Sequence, residues 1–460
     1  MFDLNKEDYI HFVGIGGIGM SAIAELLLNK GYKISGTDMK ESDKTIELKQ
    51  KGIEVKIGHL KENVGNPQLL VYTAAVSSEN PELVYAKENN IKMVSRAEML
   101  GELMRSEEIS IAVAGTHGKT TTTSMVSLIL EDSGREPTIL VGGNLAHING
   151  NLKVGKGEYF VTEACEYMDS FLELHPNVEI ILNIDSDHLD YFRDIDHITD
   201  SFDSFVDLLP QAKGLLVAYE ANPFVNRVMK KAPNLVTFGL NQRCDYWGDN
   251  IVFNHEGMPE FDIMCKSVRL CRLQMKVPGE FNILNALAAV ACCHTLGVGI
   301  ESIKKTLEEY TGIQRRFDVQ GETDGGLLVI DDYAHHPTEI KSTLSAIKNM
   351  NHNKSWCLFQ PHTYTRTLAL FDEFPEAFED ADNIIFAEIY AAREKNIYGI
   401  SSEQLKEAVA QRFPSKGVWS FKTFEEITEF VYNNAKSGDL VLTMGAGDIY
   451  KVADMLLEMK

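Results

Sequence analysis

The chain has 460 residues, which at roughly 150 residues per domain predicts about three domains. Its 44 lysines and arginines stand against 67 aspartates and glutamates, a formal net charge of −23, which argues against nucleic acid as a partner because phosphate binding requires clustered positive charge. Seven scattered cysteines, a polar amino terminus and the lack of an apolar run of about 18 residues predict a cytoplasmic protein with reduced thiols and no membrane partner.

The first hundred residues alternate between strand-like and helix-like patterns. Strands rich in β-branched and aromatic residues are predicted at 10–15, 32–38 and 69–75, and a helix is predicted at 20–30. This alternation predicts a parallel sheet with crossover helices. We assign residues 1–106 to this first α/β domain.

A glycine-rich loop joins the first predicted strand to the first predicted helix. It contains Gly14, Gly16, Gly17 and Gly19, and Asp38 ends the next strand 19 residues after the last of these glycines. Glycines let the backbone approach a diphosphate, the helix amino terminus offers N–H groups, and the carboxylate can accept a hydrogen bond from a hydroxyl. The loop therefore predicts nucleotide binding, with tight strand-to-helix packing as the structural alternative.

The strand pattern restarts at residue 109, and a second loop follows it. The loop and the start of the next helix read Gly115-Thr116-His117-Gly118-Lys119-Thr120-Thr121. Val113 stands where a standard P-loop has its first glycine, yet the lysine can contact the β- and γ-phosphates, and the threonine after it can offer its hydroxyl to Mg²⁺. We expect ATP to bind here, and not merely a threonine-rich helix cap, in a second domain that spans residues 107–317.

Carboxylates and one histidine follow the next two predicted strands of this domain. Strands of a parallel sheet end on one side, so these groups should face the phosphates of a nucleotide bound at the second loop. A metal bound to nucleotide phosphates uses one or two carboxylates. The candidates are Glu163, Glu166, Asp185, Asp187 and His188, with solvated acidic loops as the structural alternative.

A third alternation of strands and helices predicts a third α/β domain, residues 318–460. Polar groups again follow predicted strands, with His335 and His336 after one strand and Arg366 after the next. A histidine near neutrality can hold or deprotonate an amine, and a guanidinium can bind a carboxylate through two parallel hydrogen bonds. The two histidines are equally consistent with a locally capped helix start.

Together these motifs resemble one enzyme family. The order GIGGIGMSA, AGTHGKTTT, EACE, NIDSDH, NILNA, RRF, DDYAHHPTE and QPHTYTRT is similar to that of the Mur ligases of peptidoglycan synthesis. The resemblance implies an α/β protein of three domains. These are a Rossmann-like amino-terminal domain for a UDP-sugar, a P-loop-type central ATPase domain, and a Rossmann-like carboxy-terminal domain for an amino acid.

Within the family, the chain most resembles the members that join L-alanine to UDP-N-acetylmuramate. The resemblance implies that ATP phosphorylates the lactyl carboxylate and that the amine of L-alanine attacks the acyl phosphate, giving amide, ADP and phosphate. It also implies ATP and Mg²⁺ as cofactors and a cytoplasmic place in cell-wall synthesis. We expect a monomer or a homodimer.

The resemblance assigns roles to residues around the phosphates and the UDP-sugar. Thr120 and Glu163 resemble ligands of a magnesium ion between the phosphates, and Glu163 with His188 those of a second magnesium ion at the acyl acceptor. Lys119 would contact the transferred phosphoryl group. The glycine loop with Asp38 would bind the UDP-sugar.

Other roles implied by the resemblance concern the nucleoside and the amino acid. Asn282 and Asn285 resemble residues on the adenine side of ATP, and Asp332 resembles one on the ribose side. His335 resembles a histidine on the amine side of L-alanine. Arg366 resembles a cation that binds the carboxylate of L-alanine.

Two positions depart from the family pattern. Phe281 stands where a histidine is usual, which changes the expected ring contact with adenine. Thr363 stands where many members have a second arginine. Arg366 is therefore the only cation that the motif supplies for the carboxylate of L-alanine.

Two other classes of protein stay open. An NAD-dependent dehydrogenase would explain the first glycine loop with Asp38 but would leave the Gly-Lys-Thr loop unexplained. A nucleotide-gated scaffold would bind ATP and a UDP-sugar without coupling them. Nearer alternatives are a ligase that accepts glycine or serine, or one that adds a whole peptide.

Overall fold

The computed structural model describes residues 4–6 and 8–459, and their strands form three separate sheets. Residues 1–3, 7 and 460, which belong to the predicted first and third domains, lie outside the described part. The last strand of the first sheet ends at Ser95, the second sheet begins at Ile109 and the third begins at Asp318. The domain boundaries that we propose, after residues 106 and 317, fall between these sheets.

The amino-terminal domain alternates strands and helices. Its elements are β1 (Tyr9–Val13), α1 (Ile18–Asn29), β2 (Lys33–Asp38), α2 (Asp43–Gln50), β3 (Glu54–Ile57), a 3₁₀ helix (Lys61–Asn63), β4 (Leu69–Tyr72), α3 (Pro81–Glu88), β5 (Lys92–Ser95) and α4 (Arg96–Arg105). All five strands are parallel, in the spatial order β3-β2-β1-β4-β5. The three predicted strands and the predicted helix are confirmed, and the strand order is that of a Rossmann-like sheet.

The central domain is built on a sheet of ten strands. Its first elements are β6 (Ile109–Ala114), α5 (Lys119–Asp132), β7 (Thr138–Leu145), a 3₁₀ helix (Ala146–Ile148), β8 (Gly150–Lys153), β9 (Tyr159–Glu163), a 3₁₀ segment (Tyr167–Glu173), β10 (Val178–Ile181) and α6 (Ile195–Val206). They are followed by β11 (Leu215–Tyr219), α7 (Pro223–Val228), a 3₁₀ helix (Met229–Lys231), β12 (Leu235–Gly239), β13 (Tyr246–Phe253), β14 (Pro259–Cys265), β15 (Val268–Gln274), α8 (Glu280–Thr295) and α9 (Ile300–Glu309).

The centre of this second sheet is parallel and its edges are antiparallel. The spatial order is β15-β14-β13-β12-β11-β10-β6-β9-β7-β8. The strands from β13 through β7 in that order pair in parallel, whereas β14, β15 and β8 are antiparallel additions. The antiparallel edge is not among the predicted strands, although polar and apolar residues alternate along parts of it.

The carboxy-terminal domain contains a six-stranded sheet. Its elements are β16 (Asp318–Glu322), β17 (Leu328–Asp332), α10 (Pro337–Lys348), β18 (Ser355–Phe359), α11 (Tyr364–Ala369), α12 (Phe374–Ala377), β19 (Asn383–Phe386), α13 (Ser402–Arg412), β20 (Gly417–Ser420), α14 (Phe424–Asn434), β21 (Leu440–Met444) and α15 (Tyr450–Glu458). The order is β16-β17-β21-β18-β19-β20, with five parallel strands and β16 antiparallel at the edge. The predicted Rossmann-like sheet is confirmed.

Helix α8 packs against α5 at the start of the P-loop helix. α8 is buried on nearly all sides between Asn282 and Cys293, as expected of a helix that is apolar all round. The hydroxyl of Thr122 in α5 donates to Asn285 at 3.2 Å, and a Cβ on Gly118 would lie only 2.6 Å from the same amide oxygen. This packing sets the first turns of α8 directly against the P-loop.

A close backbone contact joins the first domain to the second. A Cβ on Gly101 of α4 would lie 1.9 Å from the carbonyl oxygen of Glu173, so glycine is required at this point. The apolar core of the first sheet continues through this region into the central domain, where it includes Phe171. The two domains therefore share one core.

Two expectations drawn from composition can be compared with the fold. None of the helices in the described part of the chain combines the length and the apolar character that a bilayer span requires. All seven cysteines are unbridged, and four of them are buried. The prediction of unpaired thiols is therefore confirmed.

Candidate active site

The glycine loop of the first domain leads from β1 into α1. Gly14 has a φ of 84°, Gly17 caps α1 and Gly19 lies in its first turn. Asp38, at the end of β2, accepts a hydrogen bond from the N–H of Gly16 at 2.9 Å, and a Cβ on Gly16 would lie 2.8 Å from that carboxylate. The structure thus brings all the predicted UDP-sugar residues together, with the carboxylate directly on the loop.

Lys119 is the first residue of α5, and its ammonium group is held by a carboxylate. Nζ donates to Glu166 at 2.9 and 3.1 Å and also to the carbonyl oxygens of Gly115 and Thr116. Burial would lower the pKa of Lys119, but the neighbouring acidic groups, with Glu166 the strongest, together outweigh burial, and the pKa is raised. Gly118 caps the helix with a φ of 84°. The loop therefore presents a charged lysine at a helix amino terminus, which suits a phosphate.

Glu163 ends β9 and Glu166 follows it, and the structure brings Glu166 to the lysine. Glu163 instead accepts a hydrogen bond from the N–H of Gly142. Nε2 of His188 lies 4.0 Å from Glu166, and within the described residues no ion pair joins it to Glu163, its predicted partner at a second magnesium ion. Lys119, Glu166 and His188 therefore form one continuous group, which we call the Lys-Glu-His cluster.

A cavity of about 450 Å³, which we call the ATP cavity after its predicted ligand, opens beside the P-loop, between the central and carboxy-terminal domains. Small-molecule sites usually measure about 300 to 1,000 Å³. Six of the predicted ATP residues line this cavity, namely His117, Gly118, Thr121, Asn282, Asn285 and Asp332. Aromatic rings of Tyr219, Phe238 and Phe281 line it as well. Phe281 thus contributes a ring to the cavity although it replaces the usual histidine.

Asp332, at the end of β17, is hydrogen-bonded within the protein. Its carboxylate accepts from the N–H of Phe317 at 3.2 Å, the N–H of Ala334 at 2.8 Å and the hydroxyl of Thr343 at 3.1 Å. Burial raises the pKa of Asp332 to about 6. A ribose hydroxyl bound here would therefore donate to carboxylate oxygens that already accept hydrogen bonds from the cavity wall.

His117 of the P-loop links the central domain to the carboxy-terminal domain. Its two ring nitrogens each lie 3.2 Å from a carboxylate, that of Asp185 and that of Glu339 in α10. Burial opposes a charge on the ring, but these two hydrogen bonds outweigh it and raise the pKa of His117 to about 9. Thr338 adds a hydrogen bond to Asp185 at 2.7 Å. His117 is therefore a charged contact between domains as well as a residue of the ATP cavity.

One group of side chains has the spacing of a metal site. Ligand atoms of His117, Asp185 and His336 lie within 4.8 Å of one another. His336, however, uses both ring nitrogens, since Nε2 donates to the carbonyl oxygen of Ser186 at 2.8 Å and Nδ1 accepts from the N–H of Thr338 at 3.2 Å. Metal binding would also require His117 to lose the proton that its two carboxylate partners favour. The group is an interdomain hydrogen-bond network.

Arg366 of α11, the predicted carboxylate ligand, is already paired. Nε and Nη2 donate to Asp187 at 3.0 and 3.4 Å, and Nη1 donates to Nδ1 of His362 at 3.0 Å. Burial would raise the pKa of Asp187, but the guanidinium beside it holds that pKa well below its usual range. This buried ion pair is a second link between the central and carboxy-terminal domains.

Two histidines beside this arginine are neutral. Burial and the charge of Arg366 lower the pKa of His335 to about 3 and that of His362 to about 4. Their ring centroids are 5.8 Å apart, and Nδ1 of His335 donates to the carbonyl oxygen of Tyr333 at 2.9 Å. Among the described residues, His362 lines the neighbouring cavity and His335, the predicted amine-side histidine, does not.

A second cavity, of about 500 Å³, lies between the central and carboxy-terminal domains, and His188 lines it from the central domain. The carboxy-terminal domain contributes His362 and Arg366 to its wall. Tyr167 and Arg393 also line it, and the sequence pattern predicted neither of them. The only sequence signal for Arg393 is an arginine shortly after a predicted strand. We call this space the amino-acid cavity.

A third cleft, of about 210 Å³, separates the first domain from the central domain. Gly19 and Arg96 line it from the first domain, and Gly142, Glu163 and Cys165 line it from the central domain. A Cβ on Gly19 would lie 3.2 Å from Nη1 of Arg96, so this guanidinium lies over the first turn of α1. Arg96 is a further cation that the motifs did not predict.

Family models match the chain in succession along its length. The Mur ligase family catalytic domain matches residues 9–108, the Mur ligase middle domain 113–293, and the Mur ligase glutamate ligase domain 315–447. The chain is also 48% identical over 462 residues to the UDP-N-acetylmuramate--L-alanine ligase of Acetivibrio thermocellus. That alignment covers 100% of this chain and 98% of the relative.

Two crystal structures have the same three-domain fold. The UDP-N-acetylmuramate-alanine ligase of Thermotoga maritima is 29% identical, with a TM-score of 0.82 over 98% of this chain and 99% of that one. The murein peptide ligase of Psychrobacter arcticus is 25% identical, with a TM-score of 0.71 over 98% of each chain. With family models matched in all three domains and a relative aligned over the full length, this chain belongs to the Mur ligase family.

Proposed function

We propose that this chain is an ATP-dependent ligase that joins L-alanine to the lactyl carboxylate of UDP-N-acetylmuramate, a cytoplasmic step of peptidoglycan synthesis. The observation that carries the proposal is that three cavities adjoin the Lys-Glu-His cluster. Glu163 and Cys165 line the cleft between the first and central domains, Gly118 lines the ATP cavity, and His188 lines the amino-acid cavity. Three reactants can therefore meet at one point.

The relatives support this choice of substrates. The Acetivibrio and Thermotoga proteins are both named for UDP-N-acetylmuramate and alanine. The murein peptide ligase is less similar to this chain, in sequence and in TM-score, than the Thermotoga ligase. A single amino acid is therefore favoured over a peptide as the acceptor of the acyl group.

UDP-N-acetylmuramate would bind to the first domain. The glycine loop and the amino terminus of α1 offer N–H groups to the diphosphate. Arg96, over the first turn of the same helix, adds a positive charge on the side of the cleft that faces Glu163. This arrangement supports a path for the sugar from the loop toward Lys119.

Lys119 would stabilise the transferred phosphoryl group. In the first step an oxygen of the lactyl carboxylate attacks the γ-phosphorus of ATP, the bond to the β,γ-bridging oxygen breaks, and ADP leaves. A fixed positive charge at a helix amino terminus lowers the energy of this transition state. Glu166 pairs with Lys119 in the structure, so the phosphate of ATP has to displace the carboxylate of Glu166 from the ammonium group.

The donor set at this point fits Mg²⁺. Within the described chain the hydroxyl of Thr120 makes no hydrogen bond, and Glu163 uses only one carboxylate oxygen, on a backbone N–H, so oxygen donors stay available. We propose that Thr120 and Glu163 hold one magnesium ion, and that Glu163 and His188 hold a second. Bound there, magnesium would neutralise negative charge on the phosphates.

The amino-acid side would serve the second step. The nitrogen of L-alanine attacks the acyl carbon, the carbon–oxygen bond to phosphate breaks, and the nitrogen loses a proton. Because the α-amine of a free amino acid is protonated near neutral pH, it must give up a proton to a base before its nitrogen can attack. The charge of Arg366 favours the carboxylate of L-alanine. His335, next to His362 and outside the cavity wall, is neutral and keeps Nε2 as an acceptor, because its Nδ1 donates to the carbonyl oxygen of Tyr333.

Phosphate release by the purified chain tests the proposal. We expect sustained release only when ATP, Mg²⁺, UDP-N-acetylmuramate and L-alanine are all present. Glycine, L-serine or a tripeptide in place of L-alanine should give a lower kcat/KM. A tripeptide that outperforms L-alanine would assign the chain to peptide recycling instead.

Calorimetric titration separates the other classes of protein. A ligase should bind UDP-N-acetylmuramate and ATP, with NAD having no effect. Binding of NAD without binding of the UDP-sugar would sink the proposal in favour of a dehydrogenase. Binding of both nucleotides with no turnover in the phosphate assay would indicate a scaffold.

A further inference from the structure

Arg393 is a cation of the amino-acid cavity that has no partner. It is exposed in the loop after β19 and lines the same cavity as His188 and Arg366. Within the described part of the chain it makes no hydrogen bond or ion pair. Lys119 and Arg366, by contrast, are each held by a carboxylate. An uncompensated guanidinium at the wall of a ligand cavity is suited to an anionic group of the ligand.

The donors of Arg366 are largely engaged within the protein. Its Nε and Nη2 groups form a fork that faces Asp187, and Nη1 donates to His362. A carboxylate bound in two parallel hydrogen bonds would have to use the N–H groups that are left. The charge of Arg366 is also offset by Asp187. A substrate carboxylate therefore benefits from a second cation.

The loop that carries Arg393 lies against Thr363, the position at which the family motif often has a second arginine. Thr363 is neutral, and its hydroxyl accepts from the N–H of Arg366 as a helix cap. Its own N–H donates to the carbonyl oxygen of Tyr390 at 2.9 Å, three residues before Arg393. Arg393 can therefore supply, from a neighbouring loop, the charge that Thr363 lacks.

The residues on both sides of Arg393 are held in place. Ala392 has a left-handed φ of 50°. Glu394 accepts from the N–H of Thr365 at 2.9 Å and from its hydroxyl. Both oxygens of Glu394 are hydrogen-bonded to Thr365, and within the described residues no ion pair joins Glu394 to Arg393. The loop is therefore tied to α11 while the guanidinium stays available.

We propose that Arg393 binds the α-carboxylate of the amino acid substrate, together with Arg366. This inference rests on the proposed function. It also gives the substrate an orientation, because His188, 4.0 Å from Glu166, lies at the end of the cavity next to the P-loop. A carboxylate held at Arg393 leaves the amine directed toward the acyl phosphate.

The test compares L-alanine with L-alaninamide, which has the amine but no carboxylate. Arg393→Met keeps much of the side chain and removes its charge. We expect kcat/KM for L-alanine to fall about 10- to 100-fold, mainly through KM, as for the loss of a charged hydrogen-bonded pair. KM for ATP and for UDP-N-acetylmuramate should change by less than about twofold. The preference for L-alanine over L-alaninamide should fall by about the same factor as kcat/KM for L-alanine.

Lys395→Met is the matched control, because it removes an exposed cation two residues along the same loop. This variant should keep the preference of the unaltered protein for L-alanine. Equal losses on both substrates in Arg393→Met, or no loss on either, would overturn the role of Arg393. Absence of L-alanine-dependent phosphate release in the unaltered protein would instead overturn the proposed function, and with it this inference.

Discussion

The histidines on the two sides of the active site differ in charge. On the ATP side, His117 is protonated because two carboxylates raise its pKa to about 9. On the amino-acid side, His335 and His362 are neutral because burial and a neighbouring arginine lower their pKa to about 3 and about 4. The same type of residue therefore has opposite roles in one interdomain interface, and its neighbours decide which.

This difference suits the two reactants. A charged His117 pairs with Asp185 of its own domain and with Glu339 of the carboxy-terminal domain, and it adds a positive group to the wall of the ATP cavity. Neutral rings on the other side leave the arginines as the positive groups of the amino-acid cavity. A substrate carboxylate is then directed to an arginine, and its amine does not meet a charged imidazole.

The largest effect should follow removal of the phosphate-binding cation on the ATP side. Lys119→Ala should lower kcat at least about 1,000-fold, because the lysine acts on the transferred phosphoryl group. Phosphate release at saturating substrate concentrations measures kcat. Lys213→Ala is the control, because Lys213 is an exposed lysine of the same domain. An unchanged kcat would show that the second loop is not the ATP site.

Removal of the paired arginine should affect mainly the amino-acid side. Arg366→Ala should raise KM for L-alanine about 10- to 100-fold and KM for ATP much less, because a charged hydrogen-bonded contact is lost on one side only. Initial rates at varied L-alanine and varied ATP measure the two constants. An equal rise in both would argue that Arg366 acts only through its domain contact with Asp187.

We expect His117 to account for a loss of folding stability at alkaline pH. Its folded pKa of about 9 lies above its ordinary value of 6.5, so its stabilisation is complete below pH 6.5 and is lost as pH rises through 9. The free energy of unfolding in urea should fall by on the order of 2 kcal/mol between pH 6.5 and 9, and this fall should be absent in His117→Gln. His147→Gln, at a histidine with a 53% exposed side chain, should keep the loss. The same loss in His117→Gln would contradict this assignment.

The places where polar residues gather could be predicted from the sequence. Parallel strands end on one edge of a sheet, so the loops that contain Asp38, Lys119 and Asp332 were expected at ligand sites. The structure brings these residues to the glycine loop, the P-loop and the ATP cavity respectively. Their positions follow from the strand–loop–helix pattern alone.

Which side chains meet could not be predicted in the same way. Glu163 ends β9 and Glu166 comes three residues later, and the segment just after Glu166 has positive φ angles of 54° at Met168 and Asp169, which no local pattern indicates. The pairing of Asp187 with Arg366 depends on how two domains dock. Such contacts depend on tertiary packing, which hydrophobic periodicity does not encode.

The smallest effect should appear on the acid side of the stability profile, at His362. Its folded pKa of about 4 lies below 6.5, so the unfolded state binds more protons between these values, and stability present above pH 6.5 is lost as pH falls through 4. His362→Asn keeps an acceptor for Arg366 and should reduce the acid loss by about 1 kcal/mol, since the ring is only partly buried. Its alkaline loss should equal that of the unaltered protein. If His362→Asn also reduced the alkaline loss, the two histidines would titrate as one coupled group, and the contrast between the ATP side and the amino-acid side would fail.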